Sequence, residues 1–139
     1  MNLIVDASVA VKWYFPEPRA PQAHSLLLGM DPLHAPDFLL LEFDSVLCRR
    51  MRRGEIGLPK ADELRRAIRA PGLHLHPVRD LLDEAFAIAA GSGCSPYDCL
   101  YVALAARLAG RMVTDDQRLC RSLAGGLLSQ HILWIGDVG

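Results

Sequence analysis

A short, wholly apolar run stands almost at the start of the chain, Leu3-Ile4-Val5, and Asp6 closes it. A half-solvated strand alternates apolar and polar side chains, whereas a strand apolar at every position must be covered on both faces, the mark of a parallel sheet between helices. The rest of the chain fits that frame. His34-Ala35-Pro36, Leu73 to Val78, the run ahead of Asp115 and His131-Ile132-Leu133-Trp134-Ile135 are further strand candidates, and segments with helical spacing separate them. Helices are expected from a Ser8 cap through Val11, Lys12, Trp13 and Tyr14 to a stop at Pro16, over Pro18 to Met30, and from Asp37 through Leu39, Phe43, Val46 and Leu47. Others are expected over Pro59 to Ala70, Arg79 to Ala90, Ser95 to Leu108 and from Thr114 through Leu123. Alternation of this kind predicts an α/β chain, with a parallel sheet flanked by helices on both faces.

With 139 residues, 51% of them hydrophobic, the chain fills one core, and a single domain over 1–139 is expected. The formal net charge of -1 excludes a simple polycationic nucleic-acid coat and leaves room for a local basic surface beside an acidic site. Arg49, Arg50, Arg52 and Arg53 cluster at one helix end, where they either fork phosphates or form a solvated end favoured by the helix dipole. Cys48, Cys94, Cys99 and Cys120 form no C-x-x-C pair and read as reduced, mostly buried cysteines of a cytoplasmic protein. No export or membrane segment is expected, because charges interrupt every apolar stretch well short of ~20 residues.

The acids carry the remaining information. Asp6 ends a strand, where sites assemble in parallel sheets and where turn aspartates are also common. Asp98 stands three residues after Ser95, the spacing of a capping box, in a helix whose apolar face is Tyr97, Leu100, Tyr101, Leu104, Ala105 and Leu108. Thr114 can cap the next helix with Gln117 as its reciprocal partner, which puts Asp115 and Asp116 in the favourable field of that helix N-terminus. Glu42 is more informative. It stands in the apolar stripe of its helix between Leu39 and Val46, where a carboxylate costs several kcal/mol unless paired, protonated or metal-bound; an arginine partner at the stripe's edge is the plainer reading. His74 and His76 alternate onto one strand face and read as exposed histidines, with no third ligand beside them in sequence. Trp13-Tyr14-Phe15 reads as core rather than as the lining of a partner groove.

Four segments in order resemble the PIN domain: Leu3-Ile4-Val5-Asp6-Ala7-Ser8-Val9, the Pro36-to-Leu47 helix with Glu42, Tyr97 to Ala105 with Asp98, and Val113 to Leu119 with Asp116. Length and the lack of appended segments are similar to the VapC ribonuclease toxins of bacterial and archaeal toxin–antitoxin (VapBC) pairs. The resemblance implies a PIN-like three-layer α/β/α fold around a parallel sheet of four to five strands. It also implies a metal-dependent endoribonuclease with Asp6, Glu42, Asp98 and Asp116 as catalytic and metal-binding acids, and Ser8 and Thr114 as supporting hydroxyls. Further implications are an RNA substrate, a small cognate antitoxin, a homodimer or a higher toxin–antitoxin assembly, and no membrane. The chain departs from the family pattern at Phe43, Asp44 and Ser45, and Asp44 and Asp115 stand as spare acids.

The residue types suit that chemistry. Two carboxylates ~4 Å apart repel by on the order of 4 kcal/mol at an effective dielectric near 20, and a divalent ion removes that penalty. Oxygen ligands select Mg²⁺, with Mn²⁺ as the alternative, held directly or through water. Haloacid-dehalogenase, receiver and Rossmann readings fail at Ser8, at Thr114 and Asp115, and at the glycine-free Asp6-Ala7-Ser8-Val9 turn respectively. The competing expectation is a non-catalytic PIN-like module that binds RNA or protein.

Overall fold

The computed structural model describes residues 1–70 and 72–139. Strands β1 (Leu3–Val5), β2 (Leu33–Pro36), β3 (Leu73–His76), β4 (Arg111–Thr114) and β5 (Ile132–Trp134) form one parallel sheet in the order β3-β2-β1-β4-β5. The helices are α1 (Ala7–Ala10), α2 (Ala20–Leu28), α3 (Phe38–Arg52), α4 (Leu58–Ile68), α5 (Leu82–Ser92), α6 (Pro96–Arg107) and α7 (Gln117–Leu123). The expected α/β/α sheet is thus present, with five strands.

β1 is the central strand and its three residues are buried. Its side chains alternate between two cores: Leu3 and Val5 join Leu33, Val113 and the α2 residues Ala23 and Leu26, while Ile4 joins Met112 and the residues of α3 to α6. From β1 the chain steps outward through β2 to β3, then crosses back to pair β4 with the other edge of β1. That reversal lies between β1 and β4. In open parallel sheets, the crevice outside the strand carboxyl ends at such a point is where ligands bind.

Several expectations need correction. α6 is buried all round from Cys99 to Ala105 rather than along one face, as befits a helix lying across β1, β2 and β4 with α5 on its far side, and Tyr97 is exposed. The first helix gives way after Ala10 to a 3-10 turn over Val11–Trp13, and its cap is Asp6, not Ser8. Asp116, not Thr114, caps α7. The last strand is half-buried at its edge position, and only Ile135 beyond it is fully buried. The four cysteines are free as expected, yet only Cys99 is buried and Cys48 is exposed. Phe15 is core, and Trp13 and Tyr14 pack against it.

The β2–β3 register adds a histidine that sequence spacing cannot show. His34 lies opposite His74, and its Nδ1 is 3.0 Å from His76 Nε2, so three histidines share this end of the sheet. Burial first, then the charges of His76 and His74, hold His34 below the ordinary histidine range, and burial, then His74 and Arg107, do the same to His76. Among the described residues, neither these nor any other three His, Cys, Asp or Glu side chains stand in geometry to ligate one ion directly.

Candidate active site at the switch point of the sheet

Asp6 follows directly after β1, and Thr114 is the last residue of β4, its neighbour across the reversal. Both are buried. One Asp6 oxygen accepts from the Ser8 hydroxyl at 2.6 Å and from the Val9 N–H at 3.2 Å; the other accepts from the Thr114 hydroxyl at 2.5 Å. Each hydroxyl is in turn fixed from behind. Ser8 Oγ accepts the Asp115 N–H at 3.0 Å, and Thr114 Oγ1 accepts the Asp116 N–H at 3.1 Å. A hydroxyl has one proton to give, so an N–H donor on its lone pair leaves that proton aimed at Asp6. Ser8 and Thr114 thus each bond one Asp6 oxygen, and their backbone partners at Asp115 and Asp116 tie that carboxylate to the end of β4.

Of the other three acids, Glu42 and Asp98 lie in two different helices and Asp116 just ahead of a third. Glu42 projects from the middle of α3, half-buried, and accepts a hydrogen bond from the Tyr101 hydroxyl of α6. Its partner is therefore a neutral phenol and not the arginine that the stripe's edge suggested. Asp98 sits in the first turn of α6, and Ser95 caps that helix through the Tyr97 N–H. The reciprocal half of a capping box is missing: among the described residues no hydrogen bond engages the Asp98 side chain, which leaves its charge free. Asp116 caps α7 through the Leu119 N–H at 3.1 Å and is exposed.

The electrostatics show that the four share one space. Burial pushes Asp6 up to about 6, against the opposing pull of Ser8, Thr114 and Val9, and the Asp98 charge adds to the rise. Burial likewise pushes Glu42 up to about 6, with Tyr101 opposing and Asp6 and Asp98 reinforcing. Asp98 is raised by burial and then by Asp116. Among the described residues none of the four forms an ion pair, although nine ion pairs occur elsewhere. All six residues expected from the sequence are thus linked to one another, Ser8 and Thr114 by hydrogen bonds to Asp6 and the four acids by their charges.

Tyr101 was missed as a site residue, because its spacing fits an apolar face; the available signal was its position three residues after Asp98, on the same side of the helix. Lys12 was missed too. It is only 3% exposed and binds Asp115 at 3.0 Å, immediately behind the cluster. The spare acids are both neutralised: Arg65 grips Asp44 with contacts of 2.7 and 3.1 Å, and Arg19 grips Asp115 at 2.6 and 3.0 Å.

A parallel sheet in this order, with a carboxylate cluster at its switch point, defines a class of protein, and sequence comparison identifies it. The family model of the PIN domain matches residues 3–122, and the chain belongs to that family. It is 35% identical over 123 residues to Ribonuclease VapC3 of Pyrobaculum aerophilum, covering 86% of this chain and 92% of the relative. It is 32% identical over 117 residues to Ribonuclease VapC9 of Mycobacterium tuberculosis, covering 84% and 87%. Among solved structures, a toxin–antitoxin complex from Klebsiella pneumoniae superposes with a TM-score of 0.67 over 94% of this chain and 95% of its own, at 12% identity, a likeness of fold alone.

Proposed function

We propose that this chain is a metal-dependent endoribonuclease toxin that hydrolyses RNA phosphodiester bonds at the Asp6, Glu42, Asp98 and Asp116 cluster and is restrained by a small antitoxin. The observation that carries the reading is the cluster itself: four acids at the sheet's switch point, two pushed up to about 6, and none of them in an ion pair among the described residues. Fixed like charges in a half-dry crevice are unfavourable unless something positive joins them. The donor set is all oxygen, which fits Mg²⁺ or Mn²⁺. Among the described residues no three such side chains stand in direct ligand geometry, and Mg²⁺ usually keeps several waters and binds through one or two carboxylates. Asp6, Glu42, Asp98 and Asp116 would hold such an ion, directly or through water. When bound, it supplies an acidified water and a positive charge for the phosphate oxygens.

The chain's own groups do the rest. Ser8 and Thr114 fix the plane of the Asp6 carboxylate, Tyr101 orients Glu42, and Asp98, whose side chain forms no hydrogen bond among the described residues, can accept a proton without breaking one. Arg49, Arg52 and Arg53, exposed at the end of α3, form no ion pair among the described residues, and they support a polyanionic substrate. Arg50 does not belong with them, since Glu17 and Glu55 hold it and it lies 3.9 Å over the Phe15 ring. Two relatives are named ribonucleases, and solved neighbours include toxin–antitoxin complexes, which supports the RNA substrate and the antitoxin. A homodimer is supported by an apolar cleft of about 420 Å³ lined by Phe38, Val78, Leu82, Phe86, Tyr97 and Leu100, with Phe86 72% exposed. No helix among the described residues is long and apolar enough to cross a membrane, and we place the protein in the cytoplasm. The residues 1–139 act as one PIN domain on this reading.

The test is incubation of purified, antitoxin-free protein with total cellular RNA, with Mg²⁺, with Mn²⁺ and with EDTA. Discrete products that require the metal are expected. Intact RNA under all conditions from folded protein would favour a non-catalytic RNA- or protein-binding module.

A further inference from the structure

Asp115, next to the site, carries a carboxylate held by two cations. Its Oδ1 accepts from Arg19 Nε at 2.6 Å, and its Oδ2 accepts from Arg19 Nη2 at 3.0 Å and forms an ion pair with Lys12 Nζ at 3.0 Å. Burial would raise its pKa, and these two cations together bring it below the ordinary carboxylate value instead. Both Asp115 oxygens thus face cations, and its charge is matched inside the protein. Its backbone is another matter, because its N–H is the group that fixes the Ser8 hydroxyl.

Ser8 lies in α1 and Lys12 in the 3-10 turn that follows it, and together they grip residue 115 at two points. Ser8 takes the backbone N–H and Lys12 takes the carboxylate. A lysine only 3% exposed is costly to bury unless its charge is matched, and Asp115 with Glu17 at 3.4 Å matches it. The third grip is strained. Arg19 adopts the left-handed conformation at φ 64, ψ 17, which costs a residue with a side chain about 1 kcal/mol or more and persists only where the surroundings impose it. Those surroundings are Asp115 on the guanidinium edge and the Trp134 ring 5.6 Å beneath its face.

We infer that Lys12 and Arg19 clamp Asp115 so that its N–H holds the Ser8 hydroxyl on Asp6, making all three positioning residues for the proposed nuclease. Asp115 also lies between Thr114 and Asp116, so the same clamp sets the backbone that carries the second hydroxyl and the fourth acid. The inference rests on the nuclease reading for its catalytic consequence, though not for its geometry.

The test is a double-mutant cycle of Ser8→Ala and Asp115→Asn, read in steady-state cleavage and, independently, in hydrogen exchange of the residue 115 amide. Each single variant is expected to lower kcat about 10-fold with KM within about twofold, the usual effect of removing a partner that orients a ligand. The double variant is expected to be little worse than either single one, because both break the same link. Ser8→Ala and Asp115→Asn are each expected to speed exchange of that amide about 10-fold. Arg19→Gln, at a partly exposed side chain, takes the place of Asp115→Asn if the latter does not fold. Multiplying kcat effects, near 100-fold in the double variant, or unchanged amide exchange would overturn the clamp. A wild-type protein that cuts no RNA would instead overturn the nuclease reading, and the exchange measurement would still decide the clamp.

Discussion

The acids in and around the crevice fall into two groups with the same chemistry and opposite treatment. Asp44 and Asp115 are each forked by an arginine, Arg65 and Arg19, and Asp115 has Lys12 as well. Asp6, Glu42, Asp98 and Asp116 have only neutral donors, or in the case of Asp98 none among the described residues. The chain has 15 basic residues for 16 acids, so the difference is one of placement and not of supply. Where the fold needs a settled charge it brings a cation; at the switch point it brings hydroxyls, which hold a carboxylate in position without cancelling its charge. A site left unneutralised in this way costs stability, and such a cost is retained where a function uses it.

The contrast can be broken most sharply with one isosteric change in each group. Asp98→Asn is expected to lower RNA cleavage by about 10³-fold or more, and Asp44→Asn to change it less than about twofold, in parallel single-turnover assays; catalytic electrostatics of this kind are worth several kcal/mol, whereas an exposed ion pair is not. Comparable losses in both would erase the distinction.

A smaller effect is expected at Tyr101. Its hydroxyl lowers the Glu42 pKa against the effect of burial, so Tyr101→Phe should raise that pKa beyond about 6 and shift the acid limb of the pH–rate profile to higher pH, with kcat at neutral pH down about 10-fold. An unmoved acid limb would detach Tyr101 from the site.

The pH dependence of stability probes the bare group directly. Burial raises Asp6 from 3.8 to about 6, so the neutral form is favoured on folding; its contribution is complete below about pH 4 and is lost as pH rises through 6. The loss amounts to about 3 kcal/mol for this largely buried group. Metal-free protein should therefore melt at a higher temperature at pH 5 than at pH 8. Smallest of all, Asp44→Asn should cost less than about 1 kcal/mol in denaturant unfolding.

Much of this was legible before the structure. Leu3-Ile4-Val5 announced a strand buried on both sides, and it is the central strand; Glu42 in an apolar stripe announced a carboxylate out of place, and it faces the cluster. What stayed hidden depended on long-range pairing. Whether Asp98 caps its helix or serves a site is undecided by three-residue spacing, because both uses occupy the same turn. The partnership of Ser8 with Asp115, 107 residues apart, exists only because β4 pairs with β1. His34 beside His74 and His76 is likewise a product of strand register. Lys12 left one local trace, a charge beside Val9, Ala10 and Val11, all of them buried.

The decisive measurement is thermal unfolding of wild type and Asp98→Asn at pH 8, each with and without saturating Mn²⁺. If the four acids are held unneutralised for a divalent ion, Asp98→Asn melts about 3 °C or more above wild type without metal, because one like charge is gone, and Mn²⁺ stabilises wild type by about 2.7 kcal/mol at 100 times its Kd while raising the variant far less. A variant less stable than wild type without metal, together with no effect of Mn²⁺ on either protein, would contradict a metal site at this cluster.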